Sequence, residues 1–223
     1  KNKMNVLFIG SSSFIASLLK KKIKKNIFSI TSSKKKSKNT FNIKSYDEKN
    51  ILNALNYFKK KNIFFDNVIH FNGSHKMSLL SFFNEKLFNE IIKKNFTIPM
   101  KVNSLIIKNH LLRKNCSIIL ISSIAAELNE IGNAYYSLAK TLLNKSINIL
   151  SNEQKNKYRF NAVSLGLVKN KLSKELIKNL PSNYKNKKNF VKNEIIVKKI
   201  ENLLKNKKIN KKIVKIHGGY KVR

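Results

Sequence analysis

With one cysteine, Cys116, the chain can form no intramolecular disulfide and no cysteine-rich metal site, which fits a reducing compartment such as the cytoplasm. Its four histidines, His70, His75, His110 and His217, are scattered without a His-x-x-x-His spacing, so no metal site is expected. No apolar run approaches the ~20 residues that span a bilayer, and a soluble protein without a membrane partner is expected. Near the start, Lys1 and Lys3 precede the short apolar block Val6, Leu7, Phe8 and Ile9, which Gly10 and three serines interrupt before Lys20, Lys21 and Lys22. That pattern lacks the longer apolar core and small-residue cleavage site of a signal peptide and reads as a first strand.

Acidic residues are also scarce, 11 against 47 lysines and arginines, for a formal charge of +36. Such a balance invites a nucleic-acid partner, because basic side chains neutralise phosphates. Yet only Arg113, Arg159 and Arg223 are arginines, the residue that reads phosphates and bases bidentately. The lysine runs at 20–25, 59–61, 93–94 and 205–208 fall where helix C-termini are expected, and cations there complement the helix dipole. A Lys/Asn/Ile bias along the whole chain accounts for the charge better than a nucleic-acid face. An acidic partner or substrate stays compatible with it.

Apolar residues make up 42% of the 223, enough for a single domain over residues 1–223 with a sizeable core. Short apolar runs alternate with longer amphipathic ones, the pattern of repeated βα units around a parallel sheet. Strands are expected at 4–9, 27–31, 67–71, 118–122, 160–164 and 213–216, with a weaker one at 41–43. Helices are expected at 14–25, 48–61, 83–113, 135–154 and 193–205, the third either continuous or divided near Asn95 and Pro99. The stretches 32–40 and 181–189 are polar and lysine-rich, the second either a substrate lid or an ordinary loop.

Only six glycines are present, and three of them, Gly10, Gly73 and Gly166, stand at expected strand C-termini on one edge of the sheet. Open α/β sheets bind ligands along that edge. Gly10 with Ser11, Ser12 and Ser13 leads into the first helix, whose N–H groups at Ser13 and Ile15 would suit a pyrophosphate. The same loop also reads simply as a turn with a helix cap.

Tyr-x-x-x-Lys occurs three times, at Tyr57/Lys61, Tyr136/Lys140 and Tyr184/Lys188. Positions i and i+4 share a helix face, so the phenol and the ammonium would meet there, and the cation would favour phenolate. Thirteen residues upstream stand Lys44, Ser123 and Lys171 respectively. Only Tyr136 therefore has a hydroxyl at the end of a preceding strand, with a loop at Gly132 between them.

Together these features resemble the short-chain dehydrogenase/reductase family, from residue 4 to 220. The family's glycine-rich loop maps onto 9–16 with a match at Gly10, and its Asn-Asn-Ala-Gly onto His70, Phe71, Asn72 and Gly73. Its active-site asparagine looks like Asn95, and its serine, tyrosine and lysine look like Ser123, Tyr136 and Lys140. Its Pro-Gly-x-Val resembles Leu165, Gly166, Leu167 and Val168, and its terminal Gly-Gly resembles Gly218 and Gly219. Phe14 replaces the second loop glycine, and Leu165 and Asn170 replace groups that shape the nicotinamide pocket.

The resemblance implies a Rossmann-type, doubly wound parallel sheet in three α/β/α layers and NAD(P)(H)-dependent interconversion of a carbonyl and a secondary alcohol. Catalysis would rest on Asn95, Ser123, Tyr136 and Lys140, with Tyr136 as general acid/base and Lys140 lowering its pKa. Cofactor contacts would come from Gly10, Ser12, Ser13, Ile15, Ser32, Ser33, Lys34, Asn72, Gly73, Tyr136, Lys140, Gly166 and Val168. After the second strand the chain reads Ser32, Ser33, Lys34, Lys35 and Lys36 with no acid, which suits a 2′-phosphate and favours NADP(H) over NAD(H). The substrate would be a small carbonyl or alcohol, of sugar type or carried on an acyl-carrier protein as in 3-oxoacyl-carrier-protein reductases, with Ser74, His75, Ala125 and Ala126 in its pocket. A cytoplasmic homodimer or homotetramer is implied. The alternatives are a nicotinamide-binding member without catalysis, suggested by Phe14 and Leu165, and a basic nucleic-acid-binding protein.

Overall fold

The computed structural model describes residues 4–33, 39–128, 130–169 and 190–218. Strands and helices alternate as β1 (Asn5–Ile9), α1 (Phe14–Lys22), β2 (Asn26–Thr31), β3 (Thr40–Asn42), α2 (Glu48–Lys60), β4 (Phe65–His70), α3 (Glu85–Ile92), α4 (Ile98–Lys108), β5 (Leu112–Ser123), α5 (Ala134–Glu153), β6 (Arg159–Leu165), α6 (Asn193–Lys205) and β7 (Ile213–Ile216). The seven strands form one sheet in the order β3-β2-β1-β4-β5-β6-β7, parallel at every pairing. The winding starts at β1, runs out to β3, then returns to β4 and runs the other way. The reversal between β1 and β4 opens a crevice at the strand C-termini, where such sheets take ligands.

Parallel strands are covered on both faces and therefore read as nearly unbroken apolar runs. Every residue of β6 is buried. Alternate side chains of β1 go to opposite layers: Leu7 and Ile9 pack with Leu55, Phe58, Val102 and Ile147 from α2, α4 and α5, whereas Val6 and Phe8 pack with Leu19 and Ile200 from α1 and α6. Phe58 meets Phe28 and Phe65 edge-on at 6.0 and 5.3 Å, an arrangement the ring quadrupoles favour by about 0.5–1.5 kcal/mol per pair. The parallel sheet of βα units is what the alternation of runs predicts, and the three-layer, doubly wound Rossmann-type fold is the one that the family resemblance implies.

The expected helix over 83–113 is divided and stops early. A 3-10 turn (Leu80–Phe82) precedes α3, which Asn84 caps by accepting from Leu87 N–H at 2.8 Å. A π-helical turn (Lys93–Thr97) then joins α3 to α4, and Pro99 lies in the first turn of α4. The helix ends where His110 takes a left-handed φ of +56°, and the chain enters β5 at Leu112. Lys93 and Lys94 therefore sit inside a continuing helical path and not at a C-terminus, and Lys94 pairs instead with Glu90. The other lysine runs behave as expected, with Lys20 to Lys22, Lys59 and Lys60, and Lys205 in last turns.

Candidate active site

Ser123 is the last residue of β5, in extended conformation, and its Oγ accepts the Ala125 N–H at 3.2 Å to start a 3-10 turn (Ile124–Ala126). Beyond the turn, α5 opens two residues before Tyr136, so Tyr136 and Lys140 stack on the face toward β5. The Ser123 hydroxyl stands near enough to the Tyr136 phenol to favour its ionised form. The Lys140 Nζ donates to the Ile121 carbonyl of β5 at 2.9 Å and lies 5.5 Å from the Tyr136 ring centroid. Strand end, turn and helix thus bring together the three polar groups that the spacing singled out.

Electrostatics at this cluster runs against one expectation. Burial raises the pKa of Tyr136, and the Ser123 hydroxyl offsets only part of that rise. Burial also lowers Lys140 to about 8, since no carboxylate accompanies its ammonium. The lysine therefore does not pull Tyr136 below its ordinary value in this arrangement. The phenol keeps its proton at neutral pH, and the lysine can exchange one there.

Asn95 comes from the π-helical turn, whose extra residue per turn re-aims a side chain relative to an α-helix. It is fully buried, and its Nδ2 donates to the Ser74 and Ile91 carbonyls at 2.8 and 2.9 Å. Its Oδ1 has no hydrogen-bond partner among the described residues. A Cβ on Gly73 would stand 2.7 Å from that oxygen and 3.6 Å from Lys140 Nζ, so the glycine keeps a space open between Asn95, Lys140 and the end of β4.

The Gly10 loop is built around close contacts. Gly10 has φ +75°, and a Cβ there would meet Asn72 N at 3.0 Å and Asn72 Nδ2 at 3.1 Å. Ser13 caps α1 by accepting from Ala16 N–H at 3.1 Å, while Ser12 is exposed. Ile15 is buried in the core, so only its backbone N–H faces outward from the first turn. Phe14 is 39% exposed and occupies the first position of α1. Tyr46, which sequence reading missed, joins this loop to β2: its hydroxyl donates at 3.2 Å to the Ile30 carbonyl, which also accepts the Gly10 N–H at 3.0 Å. No motif marks it, because its role depends on the fold bringing the segment between β3 and α2 to the end of β2.

At the end of β2, Ser32 is exposed, and Ser33 N–H bonds the Thr31 hydroxyl at 3.2 Å. Lys34, Asn170 and Gly219 lie outside the described residues. Gly166 follows β6 and donates its N–H to the Ile216 carbonyl at 2.8 Å; a Cβ there would reach within 2.5 Å of the His217 carbonyl oxygen. Val168 is buried and bridges to Val191. Leu165 is a buried strand residue paired between Ser123 and Ile216.

His75 was expected in the pocket, and its ring stands perpendicular to that of Tyr136 with centroids 4.8 Å apart. Its Nε2 lies 2.6 Å from Asn133 Oδ1, and Asn133 Nδ2 donates to Glu130 Oε2 at 2.6 Å. Asn133 and Glu130 were also missed, although Asn133 stands only three positions before Tyr136.

The group these motifs imply is a nicotinamide dinucleotide, and the residues present fit it. The first turn of α1 offers backbone N–H groups for phosphate, Gly73 leaves the space that a Cβ would fill, and the unpaired Asn95 Oδ1 borders that space. Among the described residues there is no group of three potential metal ligands, and no helix is long and apolar enough to cross a membrane.

Known structures share this architecture. The ligand-free aldohexose dehydrogenase of Thermoplasma acidophilum superposes with a TM-score of 0.86 at 13% identity, covering 100% of this chain and 95% of that one. BdcA in complex with NADPH gives 0.81 at 14% identity over 98% and 95% of the two chains. A 4-hydroxyisoleucine dehydrogenase complexed with NADH gives 0.75 at 18% identity over 99% of each. No curated protein sequence matches significantly. The family model for short chain dehydrogenases matches residues 5–181, well over half of the sequence. By that match the chain belongs to the short-chain dehydrogenases.

Proposed function

We propose that this protein is an NAD(P)(H)-dependent oxidoreductase that interconverts a carbonyl and a secondary alcohol, with Tyr136 as general acid/base. The observation that carries the proposal is Tyr136 beside both the Ser123 hydroxyl and the buried Lys140 ammonium, at the sheet edge where α/β folds take ligands. When bound, the nicotinamide supplies the hydride.

The residues of the chain supply the rest. Tyr136, held protonated by burial, gives its proton to the substrate oxygen as negative charge develops on it. Ser123, its oxygen held by the Ala125 N–H, has a hydroxyl hydrogen to turn to the same substrate oxygen and steady it. Lys140, brought to about 8, returns a proton to Tyr136 near neutral pH. Asn95 supports that return, because its unpaired Oδ1 beside Gly73 suits a water hydrogen. In the oxidative direction Tyr136 serves as base.

Solved relatives in complex with NADPH and with NADH support a nicotinamide cofactor and divide over which one. The preference for NADP(H) rests on Ser32, Ser33 and the basic residues 34–36. Replacing Tyr136 by Phe tests the chemistry. The variant should retain NADPH binding, followed by fluorescence, and lose carbonyl reduction by a factor of about 10² to 10⁴. Full activity in it sinks the assignment. A member that binds without catalysis is the second reading, favoured by Phe14 at the head of α1. NADPH binding by a wild-type protein that turns over no carbonyl would select it.

A further inference from the structure

We propose that His75 is a specificity-determining residue: its Nδ1 accepts a hydrogen bond from a hydroxyl adjacent to the reacting carbonyl, so the preferred substrates are α-hydroxy carbonyls. The proposal rests on the oxidoreductase reading and adds the class of substrate to it.

The argument begins at Glu130, whose carboxylate can only accept hydrogen bonds when ionised. The Asn133 side chain lies 2.6 Å from Glu130 Oε2, so the amide must turn its NH2 there. Its Oδ1 is thereby aimed at His75 Nε2, 2.6 Å away. An amide oxygen has no hydrogen to give, so Nε2 must carry the proton and donate it. The tautomer of His75 is thus set two residues away, by a chain running Glu130 to Asn133 to His75. In the neutral ring this leaves Nδ1 with its lone pair, and among the described residues none bonds it.

The ring stands against the candidate catalytic tyrosine. His75 is perpendicular to Tyr136 at 4.8 Å between centroids, and it stands two residues beyond Gly73, which borders Asn95 and Lys140. The loop carrying it is tied to the head of α5 by Ser78 N–H donating to the Gly132 carbonyl at 2.8 Å. A carbonyl set against Tyr136 and Ser123 therefore has its next carbon within the reach of the imidazole. A fixed acceptor there rewards a hydroxyl on that carbon and leaves a methyl unrewarded, because a polar group built to be paired is penalised when the partner is missing.

Two substitutions separate the two ring nitrogens. His75→Asn places an amide oxygen near the Nδ1 position and abandons the link to Asn133. His75→Gln places an amide nitrogen near the Nε2 position, keeping the link and losing the Nδ1 acceptor. Hydroxyacetone and butan-2-one form a matched probe pair, differing only in a hydroxyl against a methyl next to the carbonyl. The measurement is the ratio of kcat/KM for the two ketones with NADPH, for wild type and both variants. Wild type and His75→Asn should prefer hydroxyacetone, while His75→Gln should lose about tenfold of that preference, through KM and not kcat.

Equal ratios in all three proteins overturn the proposal. So does a preference kept by His75→Gln and lost by His75→Asn, which would make His75 a structural tie to Asn133. Dissociation constants for hydroxyacetone on the NADP+ complex, measured by ligand-observed NMR, should follow the same order and need no hydride transfer. Turnover of neither ketone with that binding order intact counts against the oxidoreductase reading alone. Binding that is equal across the variants, or absent, counts against His75.

Discussion

Lys140 shows how a single residue can be kept at the expense of stability. It is 4% exposed, has one carbonyl partner and no carboxylate, and its pKa falls from 10.5 to about 8. Below pH 8 both folded and unfolded chains hold the proton, so the cost of burying the ammonium is fully present. Between pH 8 and 10.5 the folded chain has released it while the unfolded chain still binds it, so stability rises with pH across that window. The shift corresponds to about 3 kcal/mol at most. Lys140→Met removes the charge while keeping the stem, and should raise the melting temperature at pH 7 by several degrees while abolishing turnover. Differential scanning fluorimetry from pH 7 to 10.5 checks it: the gap between variant and wild type should close as pH rises. A variant that melts lower at pH 7 would show that the Ile121 contact outweighs the desolvation.

Among the elements, α6 depends on a side chain from another part of the fold. Arg159, at the start of β6 and 4% exposed, donates through Nε to the Asn115 carbonyl at 3.1 Å. Through Nη1 it reaches the carbonyls of Leu203, Asn206 and Ile209 at 3.3, 2.9 and 3.1 Å. These include last-turn acceptors of α6, where a cation also meets the negative end of the helix dipole. Arg159→Met would leave four carbonyls without this donor, costing about 3 kcal/mol or more. Urea unfolding should show the midpoint lowered by about 1–2 M with the slope unchanged. A shift below about 0.3 M would mean that water replaces the guanidinium at little cost. The elements themselves were mostly legible, because buried parallel strands announce themselves as short Val/Ile/Leu/Phe runs such as 6–9 and 118–121. β5 begins earlier than its apolar run, since the exposed Arg113, Lys114 and Asn115 carry no strand pattern. The division of 83–113 was visible at Pro99, but its π-helical turn was not, as no residue type marks one. In the same way Tyr136 and Lys140 could be read from an i, i+4 spacing, whereas the Glu130, Asn133 and His75 chain joins residues 58 positions apart and exists only after folding.

At the scale of the whole molecule, charge is the dominant unsolved load. The chain carries +36, with 11 acidic residues against 47 basic ones. Among the described residues there are four ion pairs, Lys94–Glu90, Arg113–Asp66, Lys205–Glu201 and Lys215–Glu127. Each involves partly exposed side chains, and such pairs contribute little, about 0–1 kcal/mol. Folding draws the unpaired lysines closer together than they stand in the unfolded chain, so self-repulsion opposes the compact state. Salt weakens repulsion and attraction alike, and with so few attractive pairs the repulsive sum should decide the sign. Raising sodium chloride from about 0.02 M to about 0.5 M shortens the Debye length from about 20 Å to about 4 Å. The melting temperature should therefore climb by about 5 °C or more over that range, equivalent to about 1–2 kcal/mol for a chain of this size. Sodium sulfate at matched ionic strength separates screening from the salting-out that sulfate adds on its own. A melting temperature that stays flat or falls in chloride would show that the lysines are far enough apart on the folded surface to be screened already, and that the basic excess costs the fold nothing.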